Sequence, residues 1–201
     1  MSEDLKQLVE VIKELYLRGW LPATSGNFSL RLDDSSFLIT PSGKHKGKIK
    51  EEDFLVVDIS GNPKSGESKP SAETLLHVAI YSAVPSAFCI MHVHSPNATV
   101  ISRIAKGVIN LDGYELLKAF DGIDTHDTKV SIPIFENSQD MPTLAREVES
   151  YLKTHPQSVG FLLRSHGVYV WGRHVIEAFV KLEALEFLFE CELKLAIISG
   201  K

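Results

Sequence analysis

Two histidines stand two residues apart at the end of an apolar run, in the segment Met91-His92-Val93-His94-Ser95. If this run is a β-strand, side chains alternate between its faces, so His92 and His94 point the same way and Val93 points to the opposite side. Two neutral imidazoles on one face are suitable ligands for Zn²⁺. The pair alone is also typical of a solvated strand end, so a metal site needs further ligands from elsewhere in the chain.

A third histidine is placed to complete such a site. A catalytic zinc ion takes three protein ligands and keeps one open position. His166 is the best candidate, because Gly167 permits close approach and the apolar runs on both sides are typical of buried strands. Taken alone, His166 fits a structural role equally well. His77 falls in a predicted helix and is typical of a core histidine, while the others lie in polar or element-end contexts: His45, His126, His155 and His174.

Two glutamates are candidates for acid/base catalysis. Glu73 stands in the predicted first turn of a helix, where a carboxylate also simply stabilises the helix dipole. Glu115 follows Asp112-Gly113-Tyr114 about twenty residues after the histidine pair, in a context that also suits a solvated surface glutamate. The residue types alone leave both roles open for each.

Three loops combine small residues, exposed backbone N–H groups and hydroxyl donors: Ser25-Gly26-Asn27, Ser42-Gly43-Lys44 and Lys69-Pro70-Ser71. Together they predict a cradle for a phosphate group, supplemented by the N-terminus of the helix that Ser71 is expected to cap. Lysines 44, 46, 48 and 69 are available to add positive charge. Singly, each loop is also typical of a turn or cap, and the lysine-rich segment of a solvated basic loop.

Composition restricts the class of protein. With 201 residues and 44% hydrophobic content, the chain fits one compact α/β domain over residues 1–201. The net charge of -5 gives no general attraction for nucleic acid or an anionic membrane. The sequence shows no signal peptide and no stretch with the length of a membrane span, and two cysteines, Cys89 and Cys191, form no disulfide framework. We therefore predict a cytoplasmic protein with reduced thiols.

Periodicity predicts the elements that position these residues. Strands are expected at residues 28–32, 37–40, 54–58, 88–93, 130–135, 159–163 and 168–171, with antiparallel hairpins near the N-terminus and pairing of the last two. Helices are expected from residue 5, after the N-cap Ser71, from Pro96 at N1, after Asp140, and over residues 175–198, with a smaller pattern at 114–120. The last helix is apolar on nearly every side, which favours packing against a second subunit.

The motifs occur in an order that resembles the class II aldolase/adducin family along almost the whole chain: Ser25-Gly26-Asn27, Thr40-Pro41-Ser42-Gly43, Lys69-Pro70-Ser71-Ala72-Glu73, His92-Val93-His94-Ser95 and Arg164-Ser165-His166-Gly167. The resemblance implies a three-layer α/β/α domain with a central, mainly antiparallel sheet. It also implies one Zn²⁺ per subunit and a homotetramer with active sites at subunit contacts, acting on a small sugar phosphate.

The resemblance also implies roles for individual residues. His92, His94 and His166 become the zinc ligands, and the Ser-Gly-Asn and Ser-Gly-Lys loops become phosphate contacts. Glu115 matches the acid/base glutamate of the family's dehydratases, whereas the family's aldolases use a glutamate at the position of Glu73. The motifs are most similar to a dehydratase branch that serves methionine salvage. A sugar-phosphate aldolase and a non-enzymatic adducin-like interaction module are the alternatives, although adducin-type modules lack the three histidines.

Overall fold

The computed structural model describes residues 3–64 and 69–200. Its strands, in chain order, are β1 (Asn27–Asp33), β2 (Ser36–Ile39), β3 (Leu55–Asp58), β4 (Cys89–Val93), β5 (Val108–Asp112), β6 (Lys129–Phe135), β7 (Gly160–Leu163) and β8 (Gly167–Gly172). Its α-helices are α1 (Glu3–Leu17), α2 (Thr74–Ala83), α3 (Pro96–Ile104), α4 (Met141–Thr154) and α5 (Val175–Ser199). Short 3₁₀ helices cover Lys46–Lys48, Glu51–Asp53 and Glu115–Ala119.

The strands form one sheet in the order β3-β2-β1-β4-β8-β7-β6-β5. Every neighbouring pair is antiparallel except β6 and β7, which run parallel. Strand β4 therefore lies at the centre, between β1 and β8. In this register His92 stands opposite Asn27 on one side and Tyr169 on the other.

Helices cover both faces of the sheet and divide the core in two. The first cluster of buried apolar side chains includes residues of α1, α3 and α5, and the second includes residues of α2 and α4. Along β4, Met91 and Val93 belong to the first cluster and Ile90 to the second, as the two-residue period of a strand requires. His92 therefore faces the α2 side. The arrangement confirms the three-layer α/β/α fold with a mainly antiparallel sheet.

The start of α2 differs from the prediction. Ser71 was expected to be its N-cap, but the helix begins at Thr74 and Glu73 occupies the cap position without a capping side-chain hydrogen bond. The reason is a tight turn, in which the Ser71 carbonyl accepts bonds from the Thr74 N–H at 3.1 Å and the Thr74 hydroxyl at 2.6 Å. The Glu73 side chain thus lies outside the first helical turn and is free to serve another site.

Strand β5 has no counterpart in the sequence-based assignment. Its residues alternate between exposed and buried, and it pairs with β6 at the edge of the sheet. Five residues with only two buried side chains give a weak periodic signal, so tertiary pairing defines this strand. Across the described ranges 3–64 and 69–200, no helix has both the length and the apolar character that a membrane span requires.

Candidate active site

Three histidines and one glutamate meet at the end of the central strand. His92 lies in β4, His94 follows it, and His166 lies in the turn between β7 and β8. The Nε2 atom of His166 is 3.3 Å from Nε2 of His92 and 3.0 Å from Nε2 of His94. Glu73 adds a carboxylate, with Oε1 at 3.1 Å from His166 Nε2 and Oε2 at 3.3 Å from His92 Nε2. The structure therefore brings both parts of the predicted histidine set together.

A glycine determines how His166 reaches the end of β4. Strands β4 and β8 pair directly, with Val93 opposite Val168. A Cβ atom at Gly167 would lie 2.0 Å from the Val93 carbonyl oxygen, a distance that no side chain can occupy. The absence of a side chain thus lets the two backbones approach and places the preceding His166 over the histidine pair, as the sequence motif indicates.

The electrostatic environment keeps two of the imidazoles neutral. Burial lowers the pKa of His92 well below its ordinary value, and the neighbouring His166 lowers it further. The pKa of His94 falls to about 3, first because of burial and then because of His92 and His166. The His92 Nδ1–H donates to the Val168 carbonyl at 3.0 Å, which leaves the Nε2 lone pair directed at the cluster.

The donor set fits a divalent metal ion. One ligand atom from each of Glu73, His92, His94 and His166 lies within 4.8 Å of all the others. For zinc–nitrogen bonds of 2.0–2.1 Å, ligand atoms on a tetrahedron are about 3.3 Å apart, close to the distances from His166 Nε2 to the Nε2 atoms of His92 and His94. Three imidazole nitrogens with a carboxylate also satisfy the ligand preferences of zinc. The residues present can therefore hold such an ion.

A polar cavity of about 190 Å³ opens beside the cluster. Residues from all three predicted phosphate loops line it, together with two members of the cluster: Ser25, Gly26, Asn27, Ser42, Gly43, Ser71, Glu73 and His94. The Ser25 hydroxyl is buried and has no hydrogen-bond partner among the described residues. A buried hydroxyl without a partner is costly unless a ligand completes it. The cavity thus has the size and the donors for an anionic group.

The Ser25-Gly26-Asn27 loop packs directly on β4, the strand that carries His92. Gly26 has a left-handed backbone, with φ of +77°, and a Cβ atom there would lie 2.8 Å from the His92 carbonyl oxygen. Both the positive φ and the close approach require glycine. At Gly26 the loop therefore comes into direct contact with the backbone of β4.

Of the lysines predicted to assist an anion, the structure places Lys46 at the cavity. Its side chain is 1% exposed, and its Nζ donates to the carbonyls of Thr24 at 3.1 Å and Lys44 at 3.0 Å. Burial lowers the pKa of Lys46 to about 8. An ammonium group has three donors, so one remains for a ligand.

The two lysines named in the predicted phosphate site lie elsewhere. Lys44 forms an ion pair with Asp53, with Nζ 2.7 Å from Oδ1. Lys69 is exposed and contributes through its backbone, since its carbonyl accepts the Ser42 N–H at 3.0 Å. Neither belongs to the residues that line the cavity. The sequence shows a run of alternating lysines but no periodicity that would single out Lys46.

Glu115 is not brought to the histidine cluster within one chain. It lies on the 3₁₀ helix Glu115–Ala119, its side chain is 72% exposed, and it pairs with Lys118 at 2.6 Å. The hydrogen bond from Lys118 lowers the pKa of Glu115. Together with Trp20 and Phe187 it lines a separate, largely apolar groove. A role at the cluster would require a second copy of the chain, and it stays a prediction.

The fold and the site together define a class of protein. Its members are three-layer α/β/α domains with a histidine and carboxylate cluster beside an anion-sized cavity. The model of the family described as Class II Aldolase and Adducin N-terminal domain matches residues 6–193. The chain belongs to this family.

Relatives within the family are similar over nearly the whole chain. Methylthioribulose-1-phosphate dehydratase from Pseudomonas fluorescens is 50% identical over 197 residues, which cover 98% of this chain and 95% of the relative. The dehydratase of the same name from Pseudomonas aeruginosa is 48% identical over 195 residues, with 96% and 95% covered. Among solved structures, L-fuculose-1-phosphate aldolase from Thermus thermophilus superposes with a TM-score of 0.78 at 24% identity, covering 98% of this chain and 97% of that one.

Proposed function

We propose that this protein catalyses the zinc-dependent dehydration of 5-methylthioribulose-1-phosphate to 2,3-diketo-5-methylthiopentyl-1-phosphate, a step of methionine salvage. The observation that carries the proposal is the cluster of three histidines and Glu73 at the mouth of a hydroxyl-lined cavity. Relatives that are 47–50% identical over almost the full chain bear the name of this dehydratase. A location in the cytoplasm and assembly as a homotetramer belong to the same proposal.

The cavity residues would bind the phosphate end of the substrate. Ser25 offers its hydroxyl, and the Ser42-Gly43 loop offers the Ser42 hydroxyl and the Gly43 N–H, since the Ser42 N–H is bonded to the Lys69 carbonyl. Lys46, which also lines this cavity, supplies the positive charge. His94 and Glu73 line the same cavity, so a phosphate bound there leaves the adjacent carbons of a ketose facing the cluster.

Dehydration requires a proton to leave C3 and a proton to reach the C4 hydroxyl as it departs, after which the C3 enol loses its hydroxyl proton and gains one at C4 to give the 2,3-diketone. When bound by His92, His94 and His166, zinc would polarise the C2 carbonyl as a Lewis acid. We assign the proton from C3 to Glu73, because its carboxylate lies at the cluster, and the proton for the C4 hydroxyl to Glu115 of a second copy. The exposed position of Glu115 suits an acid/base group that acts across a subunit contact.

A sugar-phosphate aldolase is the second candidate, because Glu73 occupies the position of that group's acid/base residue. Product analysis separates the two reactions. We expect incubation with methylthioribulose-1-phosphate to release water and form the diketone, while fuculose-1-phosphate yields no dihydroxyacetone phosphate. Release of dihydroxyacetone phosphate without dehydration would assign the protein to the aldolases instead. Turnover of neither substrate, in a protein that binds no stoichiometric zinc, would favour an interaction module.

Lys46 gives the proposed phosphate site a distinctive pH dependence. Because the pKa of Lys46 is lowered to about 8, we expect the ammonium form, and with it kcat/KM, to decline as the pH rises above this value. Lys46→Met should raise KM by about 10- to 100-fold at pH 7, the range for loss of a hydrogen bond to a charged group, and should remove this alkaline decline. Steady-state kinetics between pH 6 and 9 measure both effects.

The matched control is Lys44→Met, which removes a lysine that is paired with Asp53 and lies outside the cavity. We expect this variant to retain the KM and the pH profile of the unaltered protein. An unchanged KM in Lys46→Met would instead place the phosphate elsewhere.

A further inference from the structure

A buried chain of polar side chains extends from Glu73 into the core between the sheet and α2. The Asn27 Nδ2 atom is 2.6 Å from Glu73 Oε2, and the Asn27 Oδ1 atom is 2.5 Å from His77 Nε2. His77 Nδ1 is in turn 2.7 Å from the hydroxyl of Ser29, which is 2.8 Å from the hydroxyl of Tyr81. Asn27, Ser29 and His77 are all nearly inaccessible to solvent. Because water cannot reach these groups, each contact needs one proton from one of the two side chains that form it.

The carboxylate determines the direction of the first bond. Glu73 Oε2 accepts the Tyr169 hydroxyl at 2.8 Å, and burial raises the pKa of that hydroxyl well above its ordinary value, so Tyr169 remains a donor. Asn27 makes the second contact to Oε2, and it can donate a hydrogen bond there only if its NH₂ group faces that oxygen. The Asn27 carbonyl oxygen then faces His77 and can only accept. His77 must therefore carry its proton on Nε2.

The remaining hydrogen bonds of this row of polar side chains are consistent with a proton on Nε2 of His77. With the proton on Nε2, the Nδ1 atom of His77 accepts from the Ser29 hydroxyl, whose oxygen accepts from the Tyr81 hydroxyl. Burial lowers the pKa of His77 to about 3, which keeps the ring neutral. The Tyr81 hydroxyl has one proton and can donate it either to Ser29 at 2.8 Å or to the Phe88 carbonyl at 3.2 Å; we assign it to Ser29, because that contact is shorter and the Phe88 carbonyl already accepts the Arg31 N–H at 2.8 Å. Every donor in the chain then points toward Glu73.

We propose that His77 is a positioning residue for Glu73, acting through Asn27. The His77 Nε2–H holds the Asn27 amide in one orientation, and Asn27 and Tyr169 together hold Oε2. This leaves Oε1, at 3.1 Å from His166 Nε2, as the carboxylate oxygen that Asn27 and Tyr169 do not engage, while Oε2 also lies 3.3 Å from His92 Nε2. Without the His77 donor, the Asn27 amide can turn over and present its oxygen to the carboxylate, which would repel Glu73 from its position. The inference rests on the proposed role of Glu73 and is independent of the substrate's identity.

The tautomer can be measured without any turnover. In zinc-loaded protein labelled with ¹⁵N-histidine, we expect the His77 ring to show a protonated Nε2 and an unprotonated Nδ1 throughout pH 6–9. The resonances are assigned by their loss in His77→Gln. A protonated Nδ1, or a ring that titrates in this range, would overturn the inference even if the dehydratase activity is confirmed.

Kinetics test the consequence for catalysis. His77→Leu removes the donor, and we expect kcat to fall about 10- to 100-fold with KM within twofold and zinc stoichiometry retained. His77→Gln keeps an N–H donor and should recover most of the lost kcat. If His77→Leu folds and keeps its kcat within twofold, or if His77→Gln is as slow as His77→Leu, the positioning role is refuted.

A control on the same helix separates positioning from stability. Ile80→Val removes one buried methyl group from α2 without touching the polar chain, and it should lower the thermal midpoint slightly with kcat unchanged. Should His77→Leu fail to fold, His77→Gln and the NMR measurement still decide the question. If neither proposed substrate is turned over, the tautomer alone gives the answer, so failure of the proposed function is distinguished from failure of this inference.

Discussion

Replacement of His166 by alanine is expected to abolish stoichiometric zinc binding and, with it, turnover. His166 contributes the central nitrogen of the cluster, since its Nε2 lies within 3.3 Å of those of His92 and His94 and 3.1 Å from the Glu73 carboxylate. Loss of an outer partner of a zinc ligand typically costs about 10- to 100-fold in metal affinity. Loss of the ligand itself should exceed this. Metal analysis of the purified variant and competition with a chelator measure the effect.

His155→Ala is the matched control, because His155 stacks on Tyr151 at the end of α4 and takes no part in the cluster. Its zinc content and activity should equal those of the unaltered protein. If His166→Ala retained full zinc and full activity, the metal site as described would be refuted, and the proposed lyase activity would lose its structural basis.

Glu73→Gln and Glu115→Gln are each expected to reduce kcat by about 10²- to 10⁴-fold, which is the contribution of a positioned acid/base group. The two variants should differ in their metal affinity. Glu115→Gln should leave bound zinc intact, because Glu115 lies outside the cluster, whereas Glu73→Gln should weaken zinc binding because its carboxylate contacts two of the histidines. Full activity in Glu115→Gln would assign both proton transfers to Glu73.

Mixing two inactive variants tests whether Glu115 acts from a neighbouring subunit. Chains carrying Glu115→Gln supply intact histidines, and chains carrying His166→Ala supply an intact Glu115. When the two are unfolded together and reassembled in equal amounts, we expect about one quarter of the native activity. The reason is that random pairing gives one site in four with intact histidines from one chain and an intact Glu115 from its neighbour. Each variant reassembled alone serves as the control. No recovery would show that a site is built within one chain.

Local patterns predicted that His92, His94 and His166 come together, because the signals for this cluster are short in sequence. The spacing of His92 and His94 follows from the two-residue period of a strand, and the glycine after His166 marks a close approach of two backbones. Glu73 was recognised as a candidate but placed in the wrong setting, because the turn at Ser71 delays the start of α2. That turn depends on a hydrogen bond from Thr74, which residue preferences at the cap position do not encode.

Contacts between distant segments could not be predicted in the same way. Asn27 and His77 are 50 positions apart, so no periodicity links them, and their bond exists only because β1 and α2 pack together. The choice of Lys46 over Lys44 depends likewise on the packing of an irregular loop beside Thr24. The apolar surface of α5 was expected from its composition, and its exposed residues include Ile176, Val180 and Phe187.

The backbone contact between Gly26 and the His92 carbonyl has a consequence for substrate choice. It brings the Ser25-Gly26-Asn27 loop and the strand that carries His92 together without an intervening side chain, so we expect the two to move together. We therefore expect the proposed enzyme to select substrates by the separation between their phosphate ester and their carbonyl group. In a ketose 1-phosphate this separation is one carbon. Changes at the far end of the sugar leave that separation unaltered, and we expect selectivity for the tail to depend on other surfaces of the assembly.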